Sequence, residues 1–180
     1  MTDHPRRPLL EAISFAARAH DGQLRKDGKT PYVSHPFRVC LVVRDVFGID
    51  DRQALMAALL HDTIEDTPTD FDDVAERFGE EVAGWVAALS KDMRRQEQPR
   101  EEAYRTVLAA APWQVKVCKL ADLYDNLLDV GQLKPESRQR TFKRSRSYLA
   151  ALDTPDLPPQ ARRAHETVSR LLDELQGRMV

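Results

Sequence analysis

The sequence predicts an all-α fold, built as a single domain of about eight or nine helices over residues 1–180. Three observations lead to this prediction. Glycine is scarce, with 7 residues in the whole chain. No stretch alternates apolar and polar residues for the length of a strand, whereas apolar residues recur at helical spacing along most of the sequence. A chain of 180 residues can also bury a substantial core without disulfides or structural metals.

The apolar spacing places the helices in order along the chain. In the first of them, Leu9, Ile13 and Ala16 fall on one face. Pro36 suits the first turn of the second helix, where its missing N–H is not needed. The predicted helices cover residues 9–20, 36–47, 51–66, 69–79, 80–91, 101–111, 113–130, 135–153 and 158–176.

Two segments are predicted to lie outside the helices. Residues 21–32 are rich in Gly, Asp and Lys and are expected to form a loop. Residues 91–102 are highly charged and lack an apolar stripe, so a mobile loop is expected there too. Thr69 lies three residues before Asp72, a spacing that predicts a capping box at the start of the short helix.

Composition narrows the class of protein. Lys and Arg total 27 against 29 Asp and Glu, a formal net charge of -2, so no general surface for nucleic acid is expected and any phosphate site has to be a local cluster. No stretch has the apolar length of a membrane span, and the first residues lack the apolar region of a signal peptide. A cytoplasmic location is therefore expected. Cys40 and Cys118 have apolar neighbours and are expected to be buried thiols.

The clearest chemical signal is the stretch AALLHDTIED at residues 57–66. Four core-type residues lead directly into His61, Asp62, Glu65 and Asp66. Residues four apart on a helix share a side, so His61 aligns with Glu65 and Asp62 with Asp66. Three carboxylates in one turn repel one another unless a cation or positive side chains balance them. The stretch therefore predicts a divalent metal site.

The remaining metal ligands have to come from elsewhere in the chain. Three of the five histidines lie at a chain terminus, a helix end and a charged helix, where a ligand is not expected: His4, His20 and His165. His35 is the better candidate, because YVSHPF places it at a loop-to-helix junction between apolar residues. Asp122 follows an apolar stretch on a helix that should be central. His35, His61, Asp62 and Asp122 form a mixed N/O set that favours Mn²⁺ or Fe²⁺ over a closed structural zinc site. A buried histidine bonded to a carboxylate, without metal, is the alternative.

The order of these residues resembles the HD-domain phosphohydrolase superfamily, whose signature is H…HD…D on an all-α fold. Four stretches are similar, more specifically, to the hydrolase domain of RelA/SpoT-type alarmone enzymes and to the small alarmone hydrolases: RKDGKTPYVSHPFRV, AALLHDTIEDT, FGEEVAGWV and KLADLYDNL. The similarity runs from about Leu9 to Asp129. It implies a single HD-type helical bundle that uses Mn²⁺ to remove pyrophosphate from the 3′ position of ppGpp or pppGpp.

The resemblance also implies roles for individual residues. Metal ligands fall on His35, His61, Asp62 and Asp122. Glu65 and Asp66 would orient and activate the attacking water. Substrate binding is implied for five residues, which match the family's basic pair, its motif Asn and a substrate-contacting Arg and Tyr: Arg25, Lys26, Asn126, Arg144 and Tyr148. For Asn126, fixing a neighbouring carboxylate is the alternative role.

Two parts of the chain depart from the family pattern. Where relatives often read KLADRLHNL, Leu123 and Asp125 replace an Arg and a His, and Ser90-Lys91 stands where many have Thr-Lys. Asp125 is expected to lower the positive potential near the site. Two alternative functions follow. One is an HD phosphohydrolase that acts on another nucleotide, such as a nucleoside monophosphate or NADPH. The other is a regulator that binds a nucleotide or a partner without turnover.

Overall fold

The computed structural model describes residues 7–179, so His4 lies outside the described part of the chain. The α-helices are Arg7–Ala19 (α1), Ser34–Leu41 (α2), Arg52–Leu60 (α3), Thr63–Asp66 (α4), Phe71–Phe78 (α5), Glu80–Leu89 (α6), Glu97–Ala110 (α7), Trp113–Leu128 (α8), Pro135–Leu152 (α9) and Pro159–Met179 (α10). A π-helical turn, Val42–Val46, extends α2, and a 3-10 turn, Val130–Gln132, follows α8. Within residues 7–179 the β pairing is limited to one bridge, between Leu24 and Pro31. The all-α prediction is confirmed.

Helix α8 lies at the centre of the bundle and packs against α2, α3, α6 and α10. Every residue from Val115 to Leu123 is buried. A helix with so little solvated surface can carry charged side chains only where partners are at hand. Lys119, Asp122 and Asp125 are nonetheless buried on it. The charged residues of α8 therefore mark a place where the core is organised around polar contacts.

Helix α3 provides the rigid support for the HD turn. Asp51 caps its start, because the Asp51 side chain accepts hydrogen bonds from the amides of Gln53 and Ala54. All residues from Ala54 to Leu60 are buried. Each fully buried leucine contributes roughly 1.5–3 kcal/mol of hydrophobic stabilisation. The end of α3 is consequently held in place by the core.

The prediction of one continuous helix over residues 51–66 is wrong, because the chain breaks between α3 and α4. The Thr63 hydroxyl donates to the Leu60 carbonyl at 2.7 Å, and His61 Nδ1 donates to the Ala58 carbonyl at 2.8 Å. These side chains satisfy carbonyls that the amides of a continuing helix would otherwise bind. The pattern of apolar residues continues across the break, so it could not predict that the helix ends there.

The predicted capping box is displaced by one residue. Asp70, and not Thr69, caps α5: its Oδ1 accepts from the Asp73 amide at 3.0 Å, and Asp73 Oδ2 accepts from the Asp70 amide at 3.2 Å. Thr69 instead contacts Thr67. The two hydroxyl oxygens lie 2.9 Å apart, and the Thr67 hydroxyl oxygen accepts a hydrogen bond from the Thr69 amide at 3.1 Å. Two acceptable cap residues stand side by side, and the local hydrogen bonds select the second.

The loop expected at residues 91–102 is half helical, because α7 begins at Glu97. Pro99 lies in its first turn, where a missing amide is tolerated. The first buried residue of α7 is Tyr104, whose hydroxyl donates to the Leu89 carbonyl at 2.8 Å. The first turns of α7 contain no buried apolar residue, so apolar spacing could not predict that they are helical.

Cys40 on α2 and Cys118 on α8 are free, buried thiols, as predicted. Among the helices of residues 7–179, none combines the length and the apolar character that crossing a membrane requires.

Candidate active site

His35 enters the site from the first turn of α2 and is 2% exposed. Its Nδ1 lies 2.7 Å from Asp125 Oδ2. A carboxylate accepts, so Nδ1 carries the proton and Nε2 is left to face the cleft. That Nε2 lies 3.2 Å from Asp122 Oδ1 and 3.6 Å from Asp62 Oδ2.

His61 and Asp62 form the turn between α3 and α4. Because His61 Nδ1 donates to the Ala58 carbonyl, the ring has the same tautomer as His35. Its Nε2 is buried, has no hydrogen-bond partner among the described residues, and lies 3.0 Å from Asp62 Oδ2. The ring centroids of His35 and His61 are 5.1 Å apart. Both histidines therefore turn the same nitrogen towards the same carboxylates.

Asp122 comes from α8 and is held on both oxygens. Its Oδ2 accepts from Lys119 Nζ at 2.7 Å, and its Oδ1 accepts from Asn126 Nδ2 at 2.6 Å. The same Oδ1 is 4.0 Å from His61 Nε2. Asn126, predicted as a substrate contact, is thus also an orienting partner of Asp122.

The charges of this cluster depend on one another. Burial by itself would raise the pKa of Asp62 and Asp122. His61 outweighs this effect for Asp62, and Lys119 and His35 outweigh it for Asp122, so both carboxyl pKa values lie below their usual range. Burial lowers the pKa of His35, but Asp122 and Asp125 together raise it to about 9. Protons on the imidazoles and a bound cation are therefore alternative ways to balance the same carboxylates.

The residues present fit a divalent metal ion. The candidate ligand atoms of His35, His61 and Asp62 all lie within 4.8 Å of one another, and Asp122 Oδ1 adjoins them. Two neutral imidazole nitrogens with carboxylate oxygens suit a transition metal. A cation at this point would also engage the buried Nε2 of His61, whose 3.0 Å contact with Asp62 Oδ2 lacks hydrogen-bond geometry.

Glu65 and Asp66 lie on α4, one turn beyond His61. Glu65 Oε2 accepts from the Lys91 amide at 2.8 Å, and Lys91 Nζ is 3.5 Å from Glu65 Oε1. The Tyr32 hydroxyl lies 2.6 Å from Asp62 Oδ2 and 3.3 Å from Asp66 Oδ2. Burial, with repulsion from Asp62 and Glu65, raises the pKa of Asp66. The acidic pair is therefore fixed beside the ligand cluster by contacts of its own.

The loop before α2 carries Arg25 and Lys26. Asp27 folds it by accepting from the amides of Lys29 and Thr30, both at 2.9 Å. Hydrogen bonds from the Thr30 hydroxyl and from these amides lower the pKa of Asp27 to about 2. The Arg25 amide closes the loop by donating to the Thr30 carbonyl at 2.8 Å.

One cleft of about 380 Å³ collects the whole set, since all eleven predicted site residues line it. Helix α9 supplies Arg144 and Tyr148. Tyr148 is 2% exposed, its hydroxyl donates to Glu101, and Lys119 Nζ lies 4.8 Å from its ring centroid. Arg144, by contrast, is exposed. The structure therefore brings the predicted residues together, while their individual roles stay predictions.

Several contributors were missed by sequence reasoning, and Asp125 is the most important. It is 0% exposed, and its charge is matched by Arg38, whose Nε lies 2.5 Å from Oδ1 in an ion pair, and by Arg25, whose Nη2 lies 3.5 Å from Oδ2. The expectation that Asp125 lowers the positive potential stays a prediction. The structure adds that the carboxylate is paired with two arginines and supports His35. Its position three residues after Asp122, on the same side of a central helix, was the available signal. Lys91 was noted only as part of the Ser90-Lys91 pair that stands in place of Thr-Lys, and Tyr32 carried no comparable signal.

Comparison with known proteins identifies relatives of this chain. The family model described as HD domain matches residues 12–151, which include every residue of the predicted site. The guanosine-3′,5′-bis(diphosphate) 3′-pyrophosphohydrolase MESH1 of Xenopus tropicalis is 41% identical over 138 residues, covering 73% of this chain and 75% of that protein. Its human counterpart is 42% identical over 132 residues, covering 71% and 72%.

Similarity extends to a bacterial protein and to solved structures. The bifunctional (p)ppGpp synthase/hydrolase SpoT of Escherichia coli is 37% identical over 150 residues, covering 80% of this chain and 21% of that protein. A solved structure of a metazoan orthologue of SpoT, described as hydrolysing ppGpp, superposes with a TM-score of 0.82 at 29% identity, covering 99% of this chain and 100% of the other. The fold is also shared with lmo0812 from Listeria monocytogenes, with a TM-score of 0.69, 24% identity and coverage of 81% and 95%.

Proposed function

Because this chain belongs to the HD-domain family, we propose that it is a metal-dependent hydrolase that removes pyrophosphate from the 3′ position of guanosine-3′,5′-bis(diphosphate) and of its pentaphosphate relative. The products are GDP or GTP, and pyrophosphate. One observation carries the proposal: the donor set of His35, His61, Asp62 and Asp122, an acidic pair and a group of cations all line the same cleft. The named activity of relatives that are 41% and 42% identical over most of the chain supports it.

The chain's own residues divide the chemistry between them. The cations of the cleft bind the phosphate oxygens. Arg25 offers the N–H groups that its contacts with Asp129 and Asp125 leave free, and Lys26 offers a single charge. Water adds to the phosphorus nearest the ribose, and the bond from that phosphorus to the 3′ oxygen breaks. Glu65, held by Lys91, takes a proton from the water. The electrons of the broken bond stay with the 3′ oxygen, which receives the proton that Glu65 had taken. The nucleoside product therefore carries a free 3′ hydroxyl and Glu65 is regenerated.

We propose Mn²⁺ as the metal. Held by His35, His61, Asp62 and Asp122, it would act as a Lewis acid on the phosphate and lower the pKa of bound water. The mixture of imidazole and carboxylate ligands, without thiolates, supports this choice over a structural zinc site. Lys119 and Asn126 hold Asp122 in the orientation that such a ligand needs.

The test is incubation of the Mn²⁺-loaded protein with ppGpp, NADPH and GMP in separate reactions, with products separated by anion-exchange chromatography. GDP and pyrophosphate from the wild type, and none from a His61→Ala/Asp62→Ala variant, is the expected result. Orthophosphate from NADPH or GMP, with ppGpp intact, would move the chain to the alternative of another nucleotide substrate. Binding of ppGpp without any product would favour the non-catalytic regulator.

Three further proposals complete this assignment. The partner is a small nucleotide and neither nucleic acid nor a membrane, which the net charge of -2 supports. The enzyme acts in the cytoplasm, which cell fractionation with an antibody to the chain would test. Residues 1–180 act as one HD-type domain, which a single cooperative unfolding transition would support.

A further inference from the structure

A second cleft of about 490 Å³ lies between α7 and α9. It shares Lys26, Leu133, Thr141 and Arg144 with the walls of the first cleft, so the two clefts adjoin. We call this second space the outer cleft. Its charged lining consists of five cations and two carboxylates: Lys26, Arg105, Arg140, Lys143, Arg144, Glu97 and Glu101.

The outer cleft is a local excess of positive charge on a chain whose net charge is -2. One of its two carboxylates, Glu101, is already engaged by the Tyr148 hydroxyl. At the junction of the clefts, burial and repulsion by Arg144 and Arg25 lower the pKa of Lys26. Cations crowded in this way raise the energy of the protein, and a bound polyanion would relieve their repulsion.

One face of α9 carries side chains that can bind a polyanion. Residues with hydroxyl or guanidinium donors recur three or four apart along the cleft wall: Ser137, Arg140, Thr141, Arg144 and Ser147. Residues at this spacing share one side of a helix. The opposite side of α9 carries the buried Phe142 and Leu149, so core packing fixes the orientation of the helix. Guanidinium and hydroxyl groups are the side chains that bind phosphate oxygens.

We propose that the outer cleft binds the 5′-polyphosphate of the substrate while the 3′-diphosphate lies at the His35–Asp122 cluster. This inference rests on the proposed function. The 3′ and 5′ oxygens leave the ribose in different directions, so two polyphosphate chains cannot occupy one point. Within the donor stripe on α9, Thr141 and Arg144 line both clefts, whereas Ser137, Arg140 and Ser147 line only the outer cleft. The outer cleft therefore selects nucleotides with phosphates at both ends.

The test compares ligands with and without 5′ phosphates. Titration calorimetry on metal-free protein, which leaves both ligands intact, would measure binding of ppGpp and of guanosine 3′-diphosphate, which has a 5′ hydroxyl. The proteins compared are the wild type and Arg140→Ala/Lys143→Ala. We expect the wild type to bind ppGpp at least about tenfold more tightly than the analogue, and the variant to lose most of that difference. The variant's affinity for guanosine 3′-diphosphate should stay within about twofold of the wild type, because both substituted residues are exposed and neither lines the first cleft.

A matched control removes the same charge elsewhere. Arg163→Ala/Arg170→Ala changes two exposed arginines of α10 that do not line either cleft, and should leave both affinities unchanged. Equal wild-type affinities for the two ligands, or equal losses for both ligands in the variant, would overturn the inference. The titration does not depend on turnover, so a wild type that binds ppGpp through the outer cleft but releases no pyrophosphate would contradict only the proposed function.

Discussion

The contact between Asp125 and His35 leads to the most specific prediction. Asp125→Asn keeps the shape of the side chain and removes its charge. A hydrogen bond to a charged group contributes about 1.5–3 kcal/mol and a neutral one about 0.5–1.5 kcal/mol, so the 2.7 Å contact to His35 Nδ1 should weaken by roughly 1–1.5 kcal/mol. Since 1.4 kcal/mol is a factor of ten, the affinity for Mn²⁺ should fall about tenfold. Loss of a partner from a metal-ligating histidine generally costs about 10–100-fold, which agrees with this value.

The measurement is calorimetric titration of Mn²⁺ into metal-free protein, followed by kcat and KM for ppGpp at saturating Mn²⁺. The dissociation constant for Mn²⁺ should rise, and much of the lost activity should return when the metal is in excess. The free energy of unfolding should also fall, by about 1–3 kcal/mol, because Arg25 and Arg38 lose a buried partner. Asp129 still pairs with both arginines, and Arg38 is 40% exposed, which keeps this loss moderate.

The control is Asp129→Asn, which disturbs the same two arginines without touching His35. We expect its affinity for Mn²⁺ to stay within about threefold of the wild type. An Asp125→Asn protein that is folded and binds Mn²⁺ as tightly as the wild type would refute the reasoning, because the carboxylate would then have no influence on the imidazole. Equal losses of affinity in both variants would assign the effect to the arginines.

Three further predictions concern the metal, the acidic pair and the core. Removal of Mn²⁺ by a chelator should lower the melting temperature by about 5–10 °C, since metal at 100 times its dissociation constant contributes about 2.7 kcal/mol, and the same Mn²⁺-containing buffer without chelator is the control. Glu65→Gln should lower kcat by about 10²–10⁴-fold while Mn²⁺ affinity, measured by calorimetry, is retained, and unchanged kcat would remove Glu65 from its proposed role. Leu60→Ala should lower the free energy of unfolding in urea by about 2–5 kcal/mol, because Leu60 is 0% exposed, whereas Leu128→Ala, at a site 51% exposed, should cost far less.

The sequence by itself determined the all-α class and the candidate residues of the site. Helical spacing is a local property, so the apolar pattern of α3 and α8 identifies buried helices without knowledge of their neighbours. The chemistry of the HD stretch is equally local, because an imidazole and three carboxylates in one turn need balancing positive charge wherever the turn lies. His35 and Asp122 could be added because each follows apolar residues that would hold it in place.

Only the tertiary structure decided how these residues support one another. Asp125 meets His35 across 90 residues of sequence, and Lys91 meets Glu65 across 26, because α2 packs on α8 and the end of α6 lies beside α4. Such pairs depend on the relative placement of helices, which no local spacing encodes. The break after Leu60 was also hidden, since side-chain hydrogen bonds and not apolar periodicity end that helix. The outer cleft could not be predicted either, because it forms only where α7 and α9 lie side by side. In the sequence, the basic residues of α9 are typical of an ordinary solvated helix face.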